Sequence, residues 1–315
     1  MWAGWRSLWE GEEAPHVLAA VRILLGLVLL YDFLSMASLG LVEPLFSSIQ
    51  DGGWSVSLVE RPPPLFTWLP DGPVAAWTVW GTMLACTLAF TVGLRPQVAA
   101  LVLVLLWAQL RVITPGADRG IDTLARNVLL IMACSGAGEA WSVEAWFRPL
   151  KEQVSSWPRR LILVQLVAMY FLAGIQKNGF AWYPPGHFAA LYFVLQDPAI
   201  ARFDMSFVRD QPFFVLTQLG TAVTLLFQDS YPVVLWFRWL RLTRERGGRL
   251  RELALRFPFE WVWIGVGAFF HLALAVTTEL GIFPWAMLAL YPAWLTPDEA
   301  AALVRRLRRQ GPPGS

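Results

Sequence analysis

"RLILVQLVAMYFLAGIQK", residues 160–177, carries Gln165 and little else that is strongly polar between Arg160 and the closing Gln176 and Lys177. A run of this length and composition matches the roughly 20 apolar residues that cross a bilayer as one helix. Working outward, comparable windows fall near 17–36, 73–92, 97–114, 121–137, 212–236, 259–279 and 281–295, each bounded by Pro, Gly or charge. Of the 315 residues, 56% are hydrophobic and 15% charged, against about a quarter charged in soluble chains. Together these features predict an all-α, polytopic membrane protein of about eight transmembrane helices. The last window holds Pro284, Trp285 and Tyr291, which suits a re-entrant or tilted segment, and "HFAALYFVL" at 187–195 is apolar but too short to span.

The charge pattern orients these spans. Arg238, Arg241, Arg244, Arg246, Arg249, Arg251 and Arg256 crowd the connection before the seventh window, and Arg148, Lys151, Arg159 and Arg160 that before the fifth. The C-terminal Arg305, Arg306, Arg308 and Arg309 join the same side if the last window crosses, whereas 43–71 holds Glu43, Asp51, Glu60 and Asp71 against Arg61 alone. By the positive-inside rule both termini are expected in the cytoplasm of a multi-pass cell-membrane protein, with Lys177 at the outer end of its span. The expected divisions are an interfacial segment at 1–14, a transmembrane domain at 15–296 and a basic cytoplasmic tail at 297–315. The N-terminal acidic cluster and the lack of a small-residue cleavage site lead us to expect that the first span is retained.

A net charge of +2 argues against a nucleic-acid partner. Cys86 and Cys134 sit in apolar segments and read as small buried hydrophobes. The motifs HExxH, CxxC, GxSxG, the P-loop and GxGxxG do not occur, and His16, His187 and His271 are too scattered to suggest a metal site. The bilayer is the expected partner.

Ionisable groups at membrane depth are costly unless partnered, so each is a candidate site residue. Arg22 and Asp32 are about 15 Å apart along one helix and cannot meet. Snorkelling is the favoured reading for Arg22, and Asp32 reads either as a helix–helix bond or as a site group. Asp122 and Arg126, at i and i+4, are expected to pair. His271 lies mid-window, and Glu279, eight residues on, is predicted to return to its helix face. Gln165, Gln228 and Asp229 suit polar contacts between helices. Lys177 has no acidic neighbour within one turn. It reads either as a snorkelling side chain or as a desolvated general base, with Trp182 and Tyr183 placed to hold a flat ring or lipid tail.

The stretch "VQLVAMYFLAGIQKNGFAWYPPG" resembles the "QL…YF.AG..K….W..G" pattern of the HTTM (horizontally transferred transmembrane) family, which includes the membrane domain of vitamin K-dependent gamma-carboxylase. "VRILLGLVLLYDFLS", "GADRGIDTLARNVLL" and "HLALAVTTELGIFPWAMLALYPAWL" add weaker likeness, over roughly 15–295. The resemblance implies a lyase in which Lys177 deprotonates a reduced quinone of the vitamin K hydroquinone type. Reaction with oxygen then makes the base that takes a proton from a peptide glutamate, and carbon dioxide adds. On that reading Lys177 and His271 are catalytic, and Asp32, Asp122, Trp182 and Tyr183 bind the cofactor. The chain departs from the carboxylases at Gln176, where they have a second lysine, at Asp122, where the animal enzymes have a histidine, and at Gln228, near a frequent glutamate. It also leaves no room for their large lumenal domain. Many bacterial relatives are single-domain chains, and one type resembles the maturation factor of a sporulation-delaying peptide toxin. The alternatives are therefore maturation or export of a secreted peptide, or a transporter or scaffold.

Overall fold

The computed structural model describes residues 9–300, apart from 70, 71 and 258, together with Ala302. Asp71 and the arginines at 305–309 lie outside the described residues, as do 1–8 of the expected N-terminal segment. The principal helices are α1 (His16–Ser38), α2 (Pro73–Val92), α3 (Pro96–Ile113), α4 (Gly120–Ala133), α5 (Trp157–Ile175), α6 (Ala190–Gln196), α7 (Phe213–Asp229), α8 (Tyr231–Leu242), α9 (Arg249–Arg256), α10 (Phe259–Thr277) and α11 (Phe283–Ala289). The described strand is one antiparallel pair, β1 (Glu12–Glu13) with β2 (Val154–Ser155).

Every predicted window contains helix, but among the described residues five helices, α1, α2, α3, α5 and α10, are long and apolar enough to cross a membrane. The expected count of about eight differs for local reasons. α4 has 14 residues, starting after the Pro115–Ala117 turn and ending at Ala133. The 212–236 window divides at Ser230, and Pro232 follows in the first turn of α8, where its missing N–H costs nothing. The last window gives the seven-residue α11 and a 3-10 turn at Tyr291–Trp294.

The chain folds as two compact units, 1–163 with 289–315, and 164–288. In the first, α1 packs on α2, α2 on α3 and α3 on α4. α1 buries Leu18, Val21, Leu25, Leu29 and Phe33 at helical spacing and leaves Leu24, Leu27 and Leu34 exposed. A helix apolar on both faces has one for protein and one for lipid, so these exposed leucines need no protein partner. Close approach comes from a small residue: a Cβ on Gly26 would lie 2.2 Å from Thr91 Oγ1 on α2. Phe33 meets Trp107 of α3 edge-on, with ring centroids 5.5 Å apart.

In the second unit, α6 packs on α7, α8 on α9, and α10 on both α7 and α8. The expected short helix in 187–195 is thus present as α6, linked to α7 by a hydrogen bond from Leu191 N to Thr221 Oγ1. Cys86 is half-buried and Cys134 exposed, so neither is the buried hydrophobe expected.

Candidate functional site

Within the second unit, α5 ends by presenting a lysine to α7. The last carbonyls of a helix lack intrahelical donors, and Lys177 supplies one by folding back: its Nζ donates to Ala173 O at 2.7 Å and to Gln228 Oε1, also at 2.7 Å. The face of Trp182 lies 5.1 Å from the amine, a cation–π distance. Lys177 is therefore half-buried, with its amine turned toward α7. Burial lowers its proton affinity below the usual lysine range, with the Asp229 carboxylate working weakly in the other direction. Gly174, within the "AGIQK" stretch, permits this approach, since a Cβ there would meet Asp229 Oδ1 at 2.1 Å.

His271, fully buried on α10, has Nε2 2.5 Å from Tyr170 Oη on α5. Tyr170 stacks on Tyr231 at 4.2 Å between centroids and meets Phe227 edge-on at 5.2 Å. Phe227 neighbours Gln228, so the Tyr170–His271 pair braces the turn of α7 that holds the Lys177 acceptor. Tyr170 lies in the quoted motif, seven residues before Lys177, and was missed because an aromatic at helical spacing reads as packing. Glu279 does not share the helix of His271: α10 ends at Thr277, and Glu279 turns to Arg202 at 3.2 Å. Tyr183 is exposed.

Asp32 and Asp122 belong to the other unit, where a single cation holds both. Arg119 Nη2 donates to Asp32 Oδ2 at 2.7 Å and to Asp122 Oδ1 at 2.9 Å. The expected Asp122–Arg126 pair does not form. Asp122 sits in the first turn of α4, and its carboxylate reaches back to accept from Arg119 N at 2.9 Å, as in a capping box. Arg126 also points back along the helix and donates to Asp118 at 2.6 Å, beneath the Trp107 ring. Arg22, expected to snorkel, is fully buried instead. Its guanidinium donates to Ala137 O at 2.6 Å, to Ala140 O at 3.2 Å and to Trp141 O.

The candidate residues thus form two constellations, each complete within its own unit: Lys177–Gln228–Trp182 with Tyr170–His271, and Asp32–Arg119–Asp122. Among the described residues no cluster of His, Cys, Asp and Glu has the makings of a metal site. The sequence matches the HTTM domain family over residues 12–244, nearly three quarters of the chain. The chain belongs to the HTTM domain family. The match takes in Lys177, Tyr170, Gln228, Asp32 and Asp122 and stops before α10, so His271 lies beyond it. No curated protein and no solved structure matches the chain.

Proposed function

We propose that this HTTM-domain protein performs carboxylase-like, quinol- and oxygen-dependent chemistry on a secreted peptide at the outer face of the cell membrane, with Lys177 as the general base. The observation that carries the reading is the pair of neutral acceptors around the Lys177 amine. An uncharged amine has two N–H donors, which Ala173 O and Gln228 Oε1 satisfy, and its lone pair remains for a proton. Burial favours that uncharged form. Carboxylates in place of these acceptors would hold the proton on the amine.

A flat lipophilic ring with a weakly acidic edge needs an aromatic wall, apolar surroundings and a basic group. Trp182, the exposed Ile175 and Phe180, and Lys177 supply these, so the residues fit a reduced quinone. When bound, such a quinone supplies the phenolic hydroxyl and the oxygen reactivity that carboxylation requires. Lys177 accepts the proton, Gln228 fixes the amine, Trp182 flanks the ring and shields the amine from water, and His271 acts at a distance by holding Tyr170. Asp32 and Asp122 have their carboxylates committed to Arg119 and take a structural part.

The test is oxygen uptake by the purified full chain given a reduced naphthoquinone, with quinone binding measured in parallel. Lys177→Met and Lys177→Arg should each lower uptake by about 100-fold or more, because arginine keeps the charge but cannot release its proton. Binding should persist in the arginine variant. Wild-type uptake in that variant would sink the base assignment, leaving Lys177 as a helix cap in a scaffold. For topology, Gln50→Cys and Glu245→Cys in a Cys-free background should react with impermeant reagent from opposite sides; labelling from one side overturns the orientation.

A further inference from the structure

The connection between α8 and α10 carries a surface that the proposed chemistry does not use. Residues 244–256 hold Arg244, Arg246, Arg249, Arg251 and Arg256 against Glu245 and Glu252. Arg251 is committed inward: Nε donates to Thr243 Oγ1 at 3.1 Å, Nη1 to Gly247 O at 3.0 Å, and its guanidinium lies 5.3 Å from the Trp239 ring. The other four arginines are exposed, and their side chains make no hydrogen bond or ion pair among the described residues. Glu260 does not compete for them, since it is already engaged by Arg238 at 3.5 Å and by Arg241.

Apolar side chains flank these free cations. On α9, Ala254 is buried, while Leu250 and Leu253, three residues apart on one face, are 54% and 40% exposed. Arg249 and Arg256, two turns apart, occupy the adjoining face beside Glu252. Phe257, which ends the helix, is 51% exposed. Connectivity fixes where this face lies: α10, long and apolar enough to span, begins at Phe259, one residue beyond Pro258. α9 therefore lies at the bilayer boundary, where leucines reach acyl chains and arginines reach headgroup phosphates.

We propose that α9 and the preceding turn form a binding surface for anionic phospholipid headgroups, with Arg244, Arg246, Arg249 and Arg256 as phosphate ligands and Leu250, Leu253 and Phe257 as the apolar anchor in the same leaflet. Charge complementarity selects the occupant. Four unpaired guanidiniums gain little from a zwitterionic headgroup, whose own ammonium cancels its phosphate, and more from one that keeps a net negative charge.

The test uses the full chain in detergent, titrated with phosphatidylglycerol or phosphatidylcholine and read by native mass spectrometry as lipids retained. Wild type should hold phosphatidylglycerol in preference. Joint substitution Arg244→Gln, Arg246→Gln, Arg249→Gln and Arg256→Gln should weaken that binding by about tenfold and leave phosphatidylcholine unchanged. The same four positions as lysine should keep most of the preference. Leu250→Ser with Leu253→Ser should weaken both lipids. An absent preference in wild type, or one that survives the glutamine substitutions, overturns the proposal and leaves the patch to an acidic polypeptide. Unchanged thermal unfolding of the glutamine variant in detergent alone separates loss of lipid binding from loss of fold.

Discussion

Arg119 and Lys177 both stand at the end of an apolar helix, and they meet opposite kinds of partner. Arg119, just before α4, has two carboxylates within 3 Å. Lys177, just after α5, has a backbone carbonyl and a glutamine. Opposite charges fix a proton in place, whereas neutral acceptors orient an amine without holding its proton. The first arrangement makes a strut and the second a group able to change its charge. Arg22 is the instructive intermediate, a cation held by carbonyl oxygens alone.

The largest effect is expected at Arg22. Arg22→Met leaves two buried carbonyl oxygens and one partly buried one without their donor and should cost about 3–5 kcal/mol in denaturant unfolding of the detergent-solubilised chain. A cost below about 1 kcal/mol would mean that those carbonyls find other donors. Arg119→Gln should cost about 2–4 kcal/mol, because Asp32 and Asp122 then face each other uncompensated. Adding Asp122→Asn to that variant should recover part of the loss, and a purely additive double variant would break the strut half of the comparison. Lys177→Met should cost only about 1 kcal/mol, the worth of a cap and one side-chain bond. A loss as large as that of Arg119→Gln would erase the distinction.

The smallest effect is in pH dependence. The folded-state proton affinity of Lys177 is lowered, so the unfolded chain binds more protons between that lowered value and the ordinary 10.5. Stability relative to Lys177→Met should then rise as pH is raised from neutral through this window, and fall as the amine protonates. A flat difference would show that the amine is charged throughout.

The helical membrane class and the end of α5 were legible because long apolar runs and a terminal charge need no knowledge of partners. The pairings were not. Asp122 and Arg126 have the right spacing, but both point back along α4 and find Arg119 and Asp118, because the first turn of a helix has free N–H groups that attract a carboxylate. Glu279 was misplaced because periodicity cannot show that α10 ends at Thr277. Tyr170 lay in plain view, but its role depends on His271, a contact across 101 residues. The expected eight spans and the five long helices part company where helices are interrupted, at Ser230 and after α11, by turns that average hydropathy does not register.

The acceptors of Arg22 also impose an order on biogenesis. Ala137 and Trp141 are 115 and 119 residues downstream, so they have not been synthesised when α1 leaves the ribosome. At that stage the guanidinium faces lipid or the translocation channel, where an arginine in a span is unfavourable by up to about 3 kcal/mol. The charge of α1 thus finds its protein acceptors only once the chain following α4 has been made.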